Sequence, residues 1–446
     1  MLLSHWELRR VNFQPPTVKL AVSGKNKCWK DAIFVKLQLC YGTEQLNIFW
    51  PEDRPLRLIT PALPDPLPDE AIHNALRSPT GCLPLRQLAA GKRSAVILIS
   101  DGTRLSPSER LLPPLLEELS AAGIPDDAVT VLVALGTHRQ QSESELRRLT
   151  GDDVYERVRV LNHSSNTEDC VHVGTTSRGT PIELNRAVVE AGMLIITGNI
   201  EPHLLVGSSG GVKALMPGAA SRRCIERHHA LSKSYKAEPG CVDNPLHRDL
   251  EEALRFVPAP FLLNTVVDME RRLLGVFAGD VALAHTAGVK LANSAFLVRR
   301  SRLYDAVIVS AGGYPKDAQL YQAVKTLTNA AAFVKKGGRI LLVARCQELY
   351  GHPKFAEAVE DHPDRKKLLQ ELSKRFVLGA HKLEQIHTIL QEKQVFLYSD
   401  VPAPLVELIG FKPVASLEET IAGWASDADA DIAFMPYGGL TFSKTE

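Results

Sequence analysis

The chain is poor in organised cysteine: its seven, Cys28, Cys40, Cys82, Cys170, Cys224, Cys241 and Cys346, are scattered and none forms a CxxC pair. A disulfide framework and a cysteine-built zinc site are both excluded as organising features, and a reducing cytoplasm is the expected setting. An excess of one charge is also missing. Lys and Arg number 52 against 51 Asp and Glu, well interspersed, for a net charge of +1. Neither nucleic acid nor an anionic membrane is therefore an expected partner, and a small polar or charged metabolite is. The N-terminal stretch MLLSHWELRRVNFQPP has no continuous apolar core, and no run approaches the roughly 18 apolar residues of a membrane span. Internal repeats and low-complexity tracts are absent as well.

What is present is a chain of 446 residues, 45% of them hydrophobic, enough for a large core and two or three domains. Short apolar runs recur, each ending in a polar or glycine-bearing loop. Ser94-AVILIS precedes Asp101-Gly-Thr-Arg104, Val129-TVLVAL precedes Gly136-Thr-His138, and Met193-LIIT precedes Gly198-Asn-Ile-Glu-Pro-His203. These read as buried parallel strands. Helix-like segments lie between them, such as Ser106-PSERLLPPLLEELSAAG and Ser142-ESELRRLTG. A second series begins near residue 300 with Tyr304-DAVIVSAGG, Ala318-QLYQAVKTLTNAAAFVKKGG, Arg339-ILLVAR, Gln394-VFLYSD and Asp431-IAFMP. Alternating strand and helix predicts two α/β domains with mainly parallel sheets and the active site in the crevice between them. The expected divisions are an extension of unknown role over 1–32, a domain over 33–298 and a smaller one over 299–446.

Polar residues fall repeatedly just after a strand, where open α/β sheets build ligand sites outside their carboxyl ends. Asp101, Arg104, His138, His203 and Lys213 could thereby share one crevice, although sequence order does not determine strand order. Gly207-Ser208-Ser209-Gly210-Gly211-Val212-Lys213 fails the GxxxxGK[ST] phosphate loop but offers backbone N–H groups and hydroxyls to an anion. No GxGxxG fingerprint of a dinucleotide site follows the first strand. His138 and His203 read either as structural histidines or as a pair that moves protons near neutral pH. His229, with His228 as its rival, could ligate a metal only if a cofactor supplied most of the coordination. Tyr321 and Lys325 share one helical face with Gln322 beside them, a set suited to a carboxylate.

Taken together, DGTR at Asp101, GTHR at Gly136, EPH at Glu201, SSGGVKALMPG at Ser208, GGYP at Gly312 and YQAVK at Tyr321 resemble the nickel-dependent lactate racemase family. The resemblance runs from about Val35 to about residue 437. It implies a racemase or epimerase of a 2-hydroxy acid. Its cofactor would be a nickel-pincer nucleotide, pyridinium-3,5-bisthiocarboxylic acid mononucleotide, joined by a thioamide to Lys213 and ligated through its nickel by His229. Asp101, Ser208, Ser209, Gly210 and Gly211 would then serve the cofactor. The resemblance makes His138 and His203 the acid and base, while the C2 hydrogen leaves as hydride and returns to the other face. Arg104, Tyr321, Gln322 and Lys325 would orient the carboxylate. Enzymes of cofactor synthesis become necessary partners, and the chain could act as monomer or homo-oligomer. A non-catalytic cofactor carrier is the alternative. His381 stands where lactate racemases have a tryptophan, and Leu204 and Leu205 where they have aromatics, which points away from lactate itself.

Overall fold

The computed structural model describes residues 17–19, 33–55, 57–361 and 364–444, in two compact units. Among the described residues, one unit joins those up to Pro64 to those of Val298–Gln370 and Gly379–Glu446; the other comprises Asp65–Leu297 with Glu371–Leu378. Of the expected extension, only Thr17–Lys19 lies within the described residues, as a short strand. The chain passes from one unit to the other at Leu297 and Val298, and the described residues of 33–64 belong to the unit that holds Val298–Gln370.

The reason is a hydrophobic alternation. Strands β1 (Ile33–Tyr41) and β2 (Glu44–Pro51) form an antiparallel hairpin turning at Gly42, where φ is +57°. Leu37, Leu39, Tyr41, Ile48 and Trp50 point to one face, as a period of two requires. They share a core with Ile308, Leu341 and Phe434, and Trp50 meets Phe434 edge-on at 5.0 Å. The short β3 (Arg57–Leu58) then completes this unit's main sheet.

The Asp65–Leu297 unit is built on β4 (Ala95–Ser100), β5 (Val129–Ala134), β6 (Arg159–Asn162), β7 (Met193–Asn199), β8 (Phe261–Val267) and β9 (Leu273–Asp280). Their order is β9-β8-β7-β4-β5-β6, all parallel except the β8–β9 pair. Strands buried on both faces read as continuous apolar runs, which is why β4, β5 and β7 are legible in sequence. Chain order runs outward from β4 in one direction and, after β6, resumes at β7 on its other side. The reversal lies between β4 and β7, where doubly wound sheets open a crevice at their carboxyl ends. Helices α1 (Ser108–Ala121), α2 (Arg222–Ala230), α3 (Pro245–Glu251) and α4 (Val281–Phe296) belong to this unit.

A buried polar node ties α2 to α3. Asp249, fully buried, accepts from His228 Nδ1 at 2.9 Å and from the hydroxyls of Thr176 and Thr180 at 2.5 and 2.7 Å. Removing a carboxylate that satisfies three buried donors strands all of them. Asp249→Ala is therefore expected to lower unfolding stability by about 3 kcal/mol, measured as a shifted urea midpoint at unchanged m-value.

In the other unit, β10 (Tyr304–Ser310), β11 (Val334–Val343), β12 (Gln394–Tyr398), β13 (Lys412–Pro413) and β14 (Ile432–Met435) complete an all-parallel sheet ordered β13-β12-β11-β10-β14-β3. Here too the order reverses, between β10 and β14. Helix α5 (Leu320–Ala331) follows β10, and α6 (His381–Leu390) precedes β12, so both begin at the carboxyl edge of the strands. Among the described residues no helix is long and apolar enough to cross a membrane.

Candidate active site

In the Asp65–Leu297 unit, the loops after β4, β5 and β7 leave neighbouring strands at one edge: Ser100 pairs in register with Ala134, and Ile196 with Leu98. This brings Asp101 and His138 together, with His138 Nδ1 2.9 Å from Asp101 Oδ2. Asp101 is 3% exposed and also accepts from Thr103 N at 2.7 Å and Thr103 Oγ1 at 2.5 Å. Burial alone would raise its carboxyl; the His138 ring, Arg104 and Thr103 outweigh that and hold it well below the usual carboxylate range. An ionised carboxylate accepts, so the hydrogen sits on His138 Nδ1 and the Nε2 lone pair is presented.

His203 is held the other way round. Its Nδ1 accepts from the backbone N–H of Leu205 at 3.1 Å and of Val206 at 3.3 Å. The neutral ring then carries its hydrogen on Nε2. The two imidazoles rest in opposite tautomers, one offering a lone pair and the other a hydrogen.

The glycine-rich turn joins β7 to this edge. Gly207, Gly210 and Gly211 all have positive φ, and a Cβ on any of them would strike the protein itself: Cys241 O, Asn264 Oδ1 with Ile200, and the His285 ring respectively. Gly211 N also donates to Asn264 Oδ1 at 2.7 Å. The serines are equally committed. Ser208 Oγ donates to Ser209 O at 3.0 Å, while Ser209 Oγ donates to Asn199 O at 3.0 Å and accepts from Glu201 N at 2.9 Å. Glycines and serines thus knit the turn to the loop after β7, and what the turn presents is Lys213.

Lys213 is enclosed by protein yet retains partial exposure. Burial pushes its amine down to about 7, Arg104 adds to this, and Glu201 partly opposes it. Three buried histidines adjoin it electrostatically; in sequence His228 stood out only as the rival of His229, and His247 and His285 did not stand out at all. His228 is 1% exposed, His247 is 1% exposed, and His285 donates through Nε2 to Ser209 O at 2.8 Å. His247 and His285 stack at 5.5 Å and 7°. Burial, the neighbouring His285 and Lys213 hold His247 down to about 3, and the Val206 carbonyl facing it already accepts from Asn244 Nδ2. Nothing in the sequence context of His247 or His285 marks them, because only the fold couples them to this lysine.

Of the adjacent pair on α2, His228 is spent on Asp249, whereas half-buried His229 donates through Nδ1 to Ile225 O at 2.8 Å. That bond leaves the lone pair on Nε2, the arrangement that metal-ligating histidines use.

In the other unit, Tyr321 and Gln322 lie in the first turn of α5 and Lys325 one turn on, with Tyr321 9% and Gln322 7% exposed. The Tyr321 ring stacks on His352 at 5.1 Å and meets His381 edge-on at 6.1 Å. Tyr321 N donates to Tyr350 O at 3.2 Å, fixing the helix start.

Residues 41–240 match the lactate racemase N-terminal domain and residues 300–440 the lactate racemase C-terminal domain. The fold aligns with the lactate racemase apoprotein from Thermoanaerobacterium thermosaccharolyticum at a TM-score of 0.81 and 29% identity, over 92% of this chain and all of that one. A protein from Thermotoga maritima, 20% identical, shares the fold at a TM-score of 0.66, over 86% of this chain and all of that one. Curated lactate racemases from T. thermosaccharolyticum and Lactiplantibacillus plantarum are each 35% identical, over 311 and 306 residues. Those matches span 69% and 68% of this chain and 72% of each relative. Fold and relatives define an isomerase of the racemase type. The chain belongs to the lactate racemase family.

Proposed function

We propose that this racemase inverts the C2 centre of a 2-hydroxy acid by reversible hydride transfer to a nickel-pincer nucleotide attached at Lys213, with His138 and His203 handling the hydroxyl proton. The observation that carries this reading is the pair of opposed histidine tautomers on the loops beside the strand-order reversal, in the unit that holds Lys213.

The residues fit the group. Among the described residues no cluster of three or more His, Cys, Asp or Glu could hold a metal, so the remaining donors must come from the cofactor itself. Half-buried His229 has its tautomer set for ligation through Nε2, and Lys213 offers an amine that burial brings down to about 7. When bound, the group supplies a reversible hydride acceptor. Ser208, Ser209, Gly210 and Gly211 hold the turn that aims Lys213. Asp101 serves chiefly by orienting His138.

His138 Nε2 takes the hydroxyl proton of one enantiomer while Asp101 stabilises the imidazolium that forms. His203 would return a proton to the oxygen on the opposite face through Nε2, its Nδ1 taking a replacement proton from solvent in place of the two backbone N–H groups. Arg104 suits bidentate grip of the carboxylate, a role shared with Tyr321, Gln322 and Lys325. Maturation would depend on cofactor-synthesis enzymes. A non-catalytic carrier would need Lys213 and His229 alone; the Asp101–His138 hydrogen bond favours turnover.

The test is to incubate cofactor-loaded protein with enantiopure 2-hydroxy acids in D2O and follow enantiomer ratio and C2 deuterium together. Racemisation with little deuterium at C2 is expected. Extensive exchange at C2 would replace hydride transfer with ordinary proton abstraction.

A further inference from the structure

Lys382 is a buried charge that the proposed mechanism does not use. It is 6% exposed, its Nζ donates to Gln385 Oε1 at 2.9 Å, and it stands 5.5 Å over the ring of Tyr321. No carboxylate among the described residues pairs with it, and burial alone lowers its amine to about 8. Its neighbours at Tyr321 are His352, Phe355 and His381, none of them acidic. Lys382 lies in the first turn of α6 and Tyr321 in the first turn of α5, so two helix N-termini meet at this ring, at the carboxyl edge of the sheet. Helix N-termini favour anions. A buried ammonium without a counter-ion is costly, and a carboxylate arriving there offsets the cost in surroundings that amplify the attraction.

We infer that Lys382, over the face of Tyr321, is the subsite for a second anionic group, so that the 2-hydroxy acid taken by this chain is a dicarboxylate. The inference rests on the proposed assignment of Tyr321, Gln322 and Lys325 to substrate. Their side chains would hold the carboxylate next to the reacting carbon, and Lys382 the distal one. His381, edge-on to the same Tyr321 ring, adds a polar group beside it.

The experiment compares three probes that differ in the distal group: 2-hydroxybutanedioate, its 4-amide, and 2-hydroxybutanoate. With protein free of cofactor, calorimetric titration should detect the dicarboxylate more tightly than the amide, and Lys382→Met should erase that difference. With cofactor-loaded protein, Lys382→Met should lower kcat/KM for the dicarboxylate about 50-fold, as loss of a buried charge partner does, while the monocarboxylate changes little. Lys382→Arg should restore part of the preference. Equal losses on all three probes, or wild-type protein that does not prefer the dicarboxylate to its amide, overturn the inference. The wild-type comparison decides the matter even if the methionine variant does not fold. Racemisation of the monocarboxylate without any dicarboxylate preference would sink the inference and leave the proposed function standing; absence of an adduct at Lys213 would sink the latter.

Discussion

Lys213→Ala is expected to abolish the covalent adduct and reduce racemisation to the uncatalysed background, while the fold survives. The side chain sits on a turn whose conformation is held by others: Gly211 N on Asn264 Oδ1, Ser209 Oγ on Asn199 O, His285 Nε2 on Ser209 O. Removing the amine therefore removes chemistry and leaves those bonds in place. Removal of a partly desolvated ammonium should also leave thermal stability unchanged or slightly raised. Intact mass of protein coexpressed with the cofactor-synthesis enzymes, set beside the melting temperature, checks both halves. An adduct that persists in the variant would show that the cofactor is attached elsewhere.

The same lysine carries a pH signature. A surface lysine loses its proton near 10.4, whereas burial, aided by Arg104, brings Lys213 down to about 7. The neutral, nucleophilic form therefore grows as pH rises through about 7. Labelling of Lys213 by a small acylating reagent, read by peptide mass mapping of unloaded protein, should be half-maximal there and level off above about pH 8. Labelling that tracks the surface lysines instead would remove the physical reason for attachment at this position.

The second large effect falls on His138 and its carboxylate. His138→Gln is expected to lower kcat about 1000-fold, the scale of a lost general base, without loss of adduct. Asp101→Asn should come within about tenfold of that loss, because an amide can donate to Nδ1 and turn the ring so that Nε2 carries the hydrogen. The carboxyl of Asp101 stays ionised far into the acid range, so an acid limb in the pH–rate profile does not belong to it. Since Asp101 and His138 act as a unit, the double variant should be no worse than His138→Gln alone. Additive losses would mean that Asp101 works independently, for example on the cofactor.

Much of the fold was legible in sequence for a physical reason. Strands buried on both faces leave unbroken apolar runs, so β4, β5, β7, β10, β11 and β14 could be read directly, and helix α5 from its spacing. The hairpin of β1 and β2 was not assigned to its unit, because its alternating face says only that one side is buried and not against what. Its partners, Ile308, Leu341 and Phe434, lie hundreds of residues downstream.

Chemistry divides along the same line. Residue order alone put Asp101, Arg104, His138, His203, Lys213 and His229 forward, since each sits beside a strand end, a glycine turn or a short helix, and the motifs they form are local. Only the tertiary structure decided which ring nitrogen each histidine presents, because Asp101, Ile225 O and the N–H groups of Leu205 and Val206 set that by contact. It also decided that the glycines serve internal packing, that His228, His247 and His285 couple electrostatically to Lys213, and that Lys382 stands over Tyr321 with no carboxylate partner among the described residues. A sequence declares which groups are available; burial and the neighbour across the fold determine their charge and which atom faces the reaction.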